Sequence, residues 1–503
     1  MTQIEPNDAY NRQLLQNAHP PEYINPVPAS RYNLVVIGAG PAGLVAAAGA
    51  AGLGAKVALV ERHLMGGDCL NVGCVPSKAL IQATRAIHAA HNLPEFGGRS
   101  TNVGADFSAV MERMRKLRAG ISAADSVKRF TGLGVDVFLG EGKFTAPDIV
   151  DVNGVQIRFA RAGITAGSRP EVPPIPGLGE SGFETNLTLF NLTELPARLA
   201  VIGGGPIGCE MAQAFQRLGS RVTLLQSAPR LLPRDDPEAS ALIKSRFEAE
   251  GINVCVNAKV TRVVRNANGE REISYECAGK SATVTCDRIL VAAGRIPELA
   301  ALNLDAAGVS FDKNGIIVDD FLRTSNRRIY AAGDVCSKYK FTHAADAMAR
   351  ILIRNALFFG RQRVSKLIVP WATYTDPEVA QVGLTAEDAA AAGVPVDVLT
   401  VELRDVDRAI LDGEQAGFGR LILARGTDTI LGATLTASHA GDLIGEAALA
   451  MTAGLGASKL SSTIHPYPTQ SEVWKKLGDI YNRTRLSPGV KSAFTKLMKW
   501  RRG

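Results

Sequence analysis

"YNLVVIGAGPAGLVAAAGAAGLGAKVALVE", residues 32 to 61, opens on an apolar, β-branched run and passes three spaced glycines. It then continues through alanines and closes a second apolar run with an acid. The order reads as strand, tight turn, helix, strand. Gly38, Gly40 and Gly43 let the backbone turn sharply and come close to a pyrophosphate, whose charge the helix N-terminus favours. Glu61 ends the second strand, where a carboxylate can accept a hydrogen bond from an adenosine ribose. The stretch from Leu34 to Ala55 is uncharged and has the length of a membrane span, but the glycine spacing explains it better.

The pattern recurs. "RLAVIGGGPIGCEMAQAFQRLGSRVTLLQ", residues 198 to 226, sets Gly203, Gly205 and Gly208 between a strand and a helix that lead to another strand. Two dinucleotide sites in one chain predict two cofactors, a flavin that accepts hydride from a nicotinamide. Gln226 stands where an acid would hold the ribose 2′-hydroxyl. Without that carboxylate a 2′-phosphate is less repelled, and Arg221 or Arg230 is at hand to pair with it. The expected donor is therefore NADPH, with NADH as the alternative.

A chain of 503 residues predicts about two to four domains. Apolar residues make up 46% and charged residues 21%, as in an ordinary soluble globular protein. The +7 balance, 56 basic against 49 acidic residues, is spread over the chain and gives no nucleic-acid signature. Seven scattered cysteines point to a reducing, cytoplasmic setting. The first thirty residues are polar and proline-rich. They do not have the pattern of a signal peptide and are expected to form an extended lead-in arm.

"GGDCLNVGCVPSK", residues 66 to 78, holds Cys69 and Cys74. Two thiols are too few for a structural zinc site, and no metal site is predicted. On an ideal helix an offset of five rises about 7.5 Å and points the side chains apart. A disulfide needs Cα atoms within about 7 Å, so joining them requires an irregular turn, which Gly66, Gly67 and Gly73 permit. Pro76 suits the first turn of a following helix. Cys74 then sits near a helix N-terminus with Lys78 close by, and both features favour a thiolate. The pair reads as a redox centre, with a passive staple as the alternative.

Together with "ITAGSRP" (164 to 170), "AAGRIP" (292 to 297) and "YAAGDV" (330 to 335), these motifs resemble the class I pyridine nucleotide-disulfide oxidoreductases. The resemblance runs from about residue 31 to 485. It implies an α/β fold with two Rossmann-like dinucleotide-binding domains, for FAD and NAD(P), and a C-terminal α+β dimerisation domain. The implied order is an arm (1–30), an FAD domain (31–170 and 295–365) interrupted by an NAD(P) domain (171–294), a dimerisation domain (366–485) and a basic tail (486–503). It further implies a homodimer in which each C-terminal domain completes the other subunit's site. Asp334 would bind the ribityl chain of the flavin, and Lys78 would lie beside its ring and pair with Glu210. The Cys69–Cys74 disulfide would be the redox centre, with Cys74 next to the flavin and Cys69 meeting the substrate.

The family's disulfide reductases place a histidine before Pro-Thr and a glutamate five residues later. Here "HPYPTQSE", residues 465 to 472, puts Tyr467 at the histidine position and keeps Glu472. Tyrosine, with a reference pKa near 10, is a poor base at neutral pH. His465 is the candidate substitute, against a structural role beside Pro466, and His343 reads as a helix-start residue, with the flavin side of the cleft as the alternative. A tyrosine here resembles the mercuric reductase-like branch, whose soft-metal substrates suit sulfur ligands. No cysteine follows Cys336, so the C-terminal cysteine pair of typical members of that branch has no counterpart. The expected function is reduction of a small disulfide or a soft metal ion by NAD(P)H through FAD and the cysteine pair. The alternatives are a dihydrolipoyl dehydrogenase-type reductase, a membrane-surface quinone reductase and a non-enzymatic redox sensor.

Residues 107 to 130 read as one long amphipathic helix with its charges in solvent. Cys209, Cys255, Cys277, Cys286 and Cys336 read as small buried thiols. The tail carries Lys491, Lys496, Lys499, Arg501 and Arg502 beside an apolar stripe of Val490, Phe494, Leu497 and Met498. Such a helix suits either an anionic membrane surface or its own dimer.

Overall fold

The computed structural model describes residues 4–99, 101 and 103–503. The chain forms two compact units: residues up to Ser227 with Glu250–Leu367, and Ala228–Ala249 with Ile368–Gly503.

In the first unit, strand Tyr32–Ile37 pairs in parallel with Val57–Glu61 on one side and with Val155–Ile164 on the other. Val135–Leu139 extends the sheet beyond Val57–Glu61, and Ile329–Ala331 adds to Val155–Ile164. These strands read as near-continuous apolar runs because both faces are covered. Alternate residues point to opposite faces. Leu34, Val36 and Leu59 pack against Ala42, Ala46 and Ala50 of the helix Pro41–Gly52 and against Met348 and Leu352. Val35, Ile37 and Val60 meet Phe138, Phe144 and Phe159 on the other side. A second parallel sheet, ordered Asn253–Cys255, Arg221–Leu225, Arg198–Ile202, Arg288–Val291, carries the repeat of the glycine turn. It stands with a three-stranded antiparallel sheet over residues 258–286.

The second unit is built on a five-stranded antiparallel sheet, ordered Pro370–Thr373, Glu378–Gly383, Ile430–Ala437, Phe418–Ala424, Val396–Glu402. Its core packs Val382, Leu421 and Leu435 against Val473, Trp474 and Leu477 of the helix Glu472–Thr484. The architecture is thus α/β with two Rossmann-like sheets and a C-terminal α+β unit.

Three expectations are corrected. The lead-in arm is not simply extended: Ala9–Ala18 is a helix capped by Asp8, with Asn11, Leu14 and Ala18 buried. Residues 107 to 130 do not form one helix but Phe107–Ile121, a 3-10 turn at Ser122–Asp125, and Val127–Gly132. Two of its charges, Arg115 and Arg118, are buried because they reach back to the arm through Asp8 and Asn11. Among the further thiols Cys209 and Cys286 are buried, whereas Cys255, Cys277 and Cys336 are only partly so.

Candidate active site

The two glycine turns are near copies. Gly38 has φ +104 and Gly203 φ +111, and a Cβ at either would lie 2.5 or 2.4 Å from the carbonyl oxygen of Thr165 or Ala292. A Cβ on Gly43 would fall 1.8 Å from Gly38 O, and one on Gly208 1.9 Å from Gly203 O. These four positions are locked to glycine by backbone contact, while Gly40 and Gly205 cap helices that begin with Pro41 and Pro206 and have no side-chain cap. The exposed end of each helix dipole is what a pyrophosphate requires. Glu61 is buried, its oxygens accepting from the Ala39 and His63 amides at 2.7 Å. Burial raises its pKa and the two amides oppose that. Gln226 repeats the contact, its Oε1 accepting from Gly204 N–H at 3.0 Å. A cleft beside the first turn is lined by Gly38, Glu61, Arg62 and Glu298. The residues present fit a dinucleotide at each turn.

Arg221 begins strand Arg221–Leu225, whereas Gln226 follows its end. Five residues of strand separate them by roughly 16 Å, so Arg221 does not border the second turn. Arg230 is held by Glu387, with N–O distances of 3.2 and 2.5 Å.

The cysteine segment has the irregularity its spacing demands. Helix Gly67–Asn71 holds Cys69, and Gly73 breaks the path at φ −131, ψ −114. The helix Cys74–His91 then starts at Cys74 itself, earlier than Pro76 suggested. Both sulfurs are free thiols. The Cys74 pKa is lowered to about 6, first by the hydrogen bond from Cys69; desolvation opposes this, while Thr342 and the Lys78 charge assist. Cys69 moves the other way, chiefly because it is the partner that keeps the proton, and also through burial. Thr342 Oγ1 stands 3.4 Å from Cys74 Sγ. Lys78 Nζ lies 2.8 and 3.1 Å from the Glu210 carboxylate. Asp334 accepts from Ser168 Oγ at 2.6 Å, and Ser168 in turn accepts from Arg295 at 2.8 Å. Arg295 also pairs with Asp68.

In the second unit Tyr467 is 71% exposed and donates to Asp407 Oδ2 at 2.9 Å. That bond raises the phenol pKa. His465 does not lie on a strand; its ring nitrogens face Glu446 at 2.8 Å and the Thr463 carbonyl at 3.1 Å. Glu472 Oε1 is 3.9 Å from Lys476 Nζ. These residues border one cleft, with Glu446 and Asp407 as the acids that hold the two rings.

The family model described as pyridine nucleotide-disulphide oxidoreductase matches residues 32–349, and that of its dimerisation domain matches 369–477. The chain belongs to the pyridine nucleotide-disulphide oxidoreductases. A mercuric reductase of Bacillus cereus is 36% identical over 93% of this chain and 74% of its own length. A dihydrolipoyl dehydrogenase of Thermus scotoductus is also 36% identical, over 88% of this chain and 95% of its own. Among solved structures, the HOCl-induced flavoprotein disulfide reductase RclA of Escherichia coli superposes with a TM-score of 0.78 at 29% identity, over 89% of this chain and 99% of that one. A copper(II) complex of RclA aligns with a TM-score of 0.79 at 28% identity.

Membership makes this chain a flavoprotein of an NAD(P)H-linked enzyme class, with a dimerisation domain that supports a homodimer. Sequence reasoning overlooked Thr342, Arg295, Asp407 and Glu446. Arg295 lies within the quoted motif "AAGRIP" without its partners being evident from it, and no local pattern marks the other three, because each reaches its partner from a distant stretch of chain. The helix-start residue beside the sulfur is Thr342; the neighbouring His343 stacks on Phe341 instead, with ring centroids 5.5 Å apart.

Proposed function

We propose that this oxidoreductase uses NADPH to reduce a soft metal ion, or a small disulfide, at Cys69 and Cys74. The observation that carries the reading is the asymmetry of the pair: Cys74 has Thr342 Oγ1 at 3.4 Å and the Lys78 charge near it, which with the Cys69 hydrogen bond lower its pKa, whereas that of Cys69 is raised. When bound, FAD supplies the two-electron relay between nicotinamide and sulfur. Lys78, paired with Glu210, keeps a positive charge beside Cys74, and Asp334 is assigned to the ribityl chain. Against a disulfide, Cys69 releases its proton to solvent and attacks as a thiolate, and the leaving thiolate takes a proton from water. Cys74, already ionised, then displaces the second thiolate, which takes a proton from water, and the Cys69–Cys74 bond reforms.

The soft-metal reading is favoured by Tyr467. Its proton is committed to Asp407, so it is no substitute for the missing base, and a metal ion needs thiolates more than a proton relay. The mercuric reductase relatives and the copper(II) complex of RclA support the same class. His465, with both nitrogens engaged, is assigned an orienting role. Gln226 favours NADPH without help from Arg221, and Arg230 would have to leave Glu387 to assist. Gln226→Glu is expected to shift the kcat/KM ratio toward NADH about tenfold, since a carboxylate repels a 2′-phosphate and accepts from a 2′-hydroxyl.

The deciding experiment reduces the protein anaerobically with NADPH and supplies Hg(II), Cu(II), lipoamide, oxidised glutathione or a quinone. Preference for lipoamide would overturn the metal reading. Quinone turnover that survives Cys69→Ser would favour a reductase that bypasses the thiols.

The tail supports a second reading, contact with an anionic membrane surface from the cytoplasmic side. Helix Pro488–Arg501 has no buried residue. At about 100° per residue, Val490, Phe494, Leu497, Met498 and Trp500 fall on one face, which Arg501 interrupts at its C-terminal end, and Lys491, Lys496 and Lys499 on the other. Each basic residue near an anionic bilayer contributes about 1 kcal/mol. The helix lies beyond the dimerisation match, which ends at residue 477. No helix among the described residues is long and apolar enough to cross a membrane, so the contact would be peripheral.

A further inference from the structure

The segment from His63 to Asn71 joins the first glycine turn to the redox pair. Gly66 N–H donates to Ala39 O at 2.9 Å, and a Cβ on Gly67 would fall 2.6 Å from Gly40 Cα. The segment ends in the short helix that carries Cys69. Within the segment Asn71 Nδ2 donates to Met65 O at 3.1 Å and to Gly67 O at 2.8 Å, and Gly66 and Gly67 allow the path between these bonds, so the segment is a compact unit whose placement is set by what grips its two ends.

That grip comes from the N-terminal helix. Met65 N–H donates to Ala18 O at 3.0 Å, and His19 Nδ1 meets the His63 carbonyl. Arg118, 2% exposed, donates from one guanidinium nitrogen to Asn71 O and from another to Asn11 Oδ1, each at 2.7 Å. Asp8 caps the same helix through Asn11 N–H at 2.8 Å and pairs with Arg115. The family match begins at residue 32, so the resemblance assigns no role to this helix.

We propose that the N-terminal helix is a positioning element for the redox pair. Through Asn11 and Arg118 at one end, and Ala18 and His19 at the other, it clamps the Cys69 helix and raises the effective concentration of Cys69 at Cys74. This rests on the redox reading of the two cysteines. A looser Cys69 helix lowers that effective concentration and makes the disulfide easier to reduce.

The test equilibrates flavin-loaded protein with graded dithiothreitol buffers under anaerobic conditions and counts the Cys69 and Cys74 thiols. Asn11→Ala is expected to shift the equilibrium about tenfold toward the dithiol, equal to a potential about 30 mV more positive. Asn11→Asp keeps an acceptor for Arg118 and should stay near the wild-type value. Arg118→Lys, which cannot reach both acceptors in the same way, should move with Asn11→Ala and supplies the test if that variant fails to fold. A purely structural helix would lower the melting temperature of these variants and leave the potential unchanged, and that result overturns the proposal. A wild-type protein in which the two cysteines never join would instead overturn the redox reading.

Discussion

Cys74 and Cys69 are chemically the same residue in different surroundings, and the difference has a measurable consequence. Cys74 has its pKa depressed to about 6, below the ordinary thiol value of about 8.5. A depressed acid contributes stability that is present above its unfolded pKa and lost as pH falls through its folded pKa. The reduced protein is therefore expected to lose melting temperature between about pH 8.5 and about pH 6, while Cys74→Ser stays flat across that window. Cys69 is raised, so its contribution is lost only on the alkaline side of that range. A second residue-scale expectation concerns Tyr467. Tyr467→His would place an imidazole beside Asp407, and kcat for a small disulfide should rise by up to about 10²-fold, the scale of a positioned base. An unchanged rate would mean that proton transfer does not limit turnover.

At the scale of elements, the two glycine turns are the same device used twice and should fail separately. Gly43→Ala puts a methyl 1.8 Å from Gly38 O, which neither backbone can avoid. Flavin content on purification should fall sharply, as absorbance would show. Gly208→Ala makes the same clash, at 1.9 Å, in the second turn. That variant should keep its colour and lose NADPH-dependent reduction of the flavin. Equal loss of colour in both would contradict the assignment of one cofactor to each turn. The cysteine segment differs in kind. Its function depends on an irregular path between two helices, and the freedom of Gly66, Gly67 and Gly73 is useful only because Arg118, buried against the arm, limits it.

At the scale of the whole molecule, the dimerisation match and the basic tail helix occupy different stretches of the second unit. Removing residues 486–503 takes away five cations and the exposed apolar face but leaves the core around Trp474. The truncated protein is expected to remain a dimer and to keep its turnover. It should no longer sediment with vesicles containing an anionic lipid, which the full chain should bind in a salt-sensitive way. A truncation that yields monomers would show that the tail packs on the partner subunit instead.

While the missing histidine at Tyr467 was legible only through the family resemblance, local spacing alone was enough to define the two dinucleotide turns, the flanking strands and helices, and the place of the cysteine pair. These are contacts between near neighbours in the chain, so the residues that make them are recorded in order. The arm was read as extended because its composition is polar, yet its helix is held by Arg115 and Arg118, which lie about a hundred residues away. The partition of the proton between Cys69 and Cys74, the approach of Thr342, the pairing of Tyr467 with Asp407 and of His465 with Glu446 were likewise decided only by the tertiary structure. Each depends on where a distant segment comes to rest, and packing rather than local propensity sets that distance.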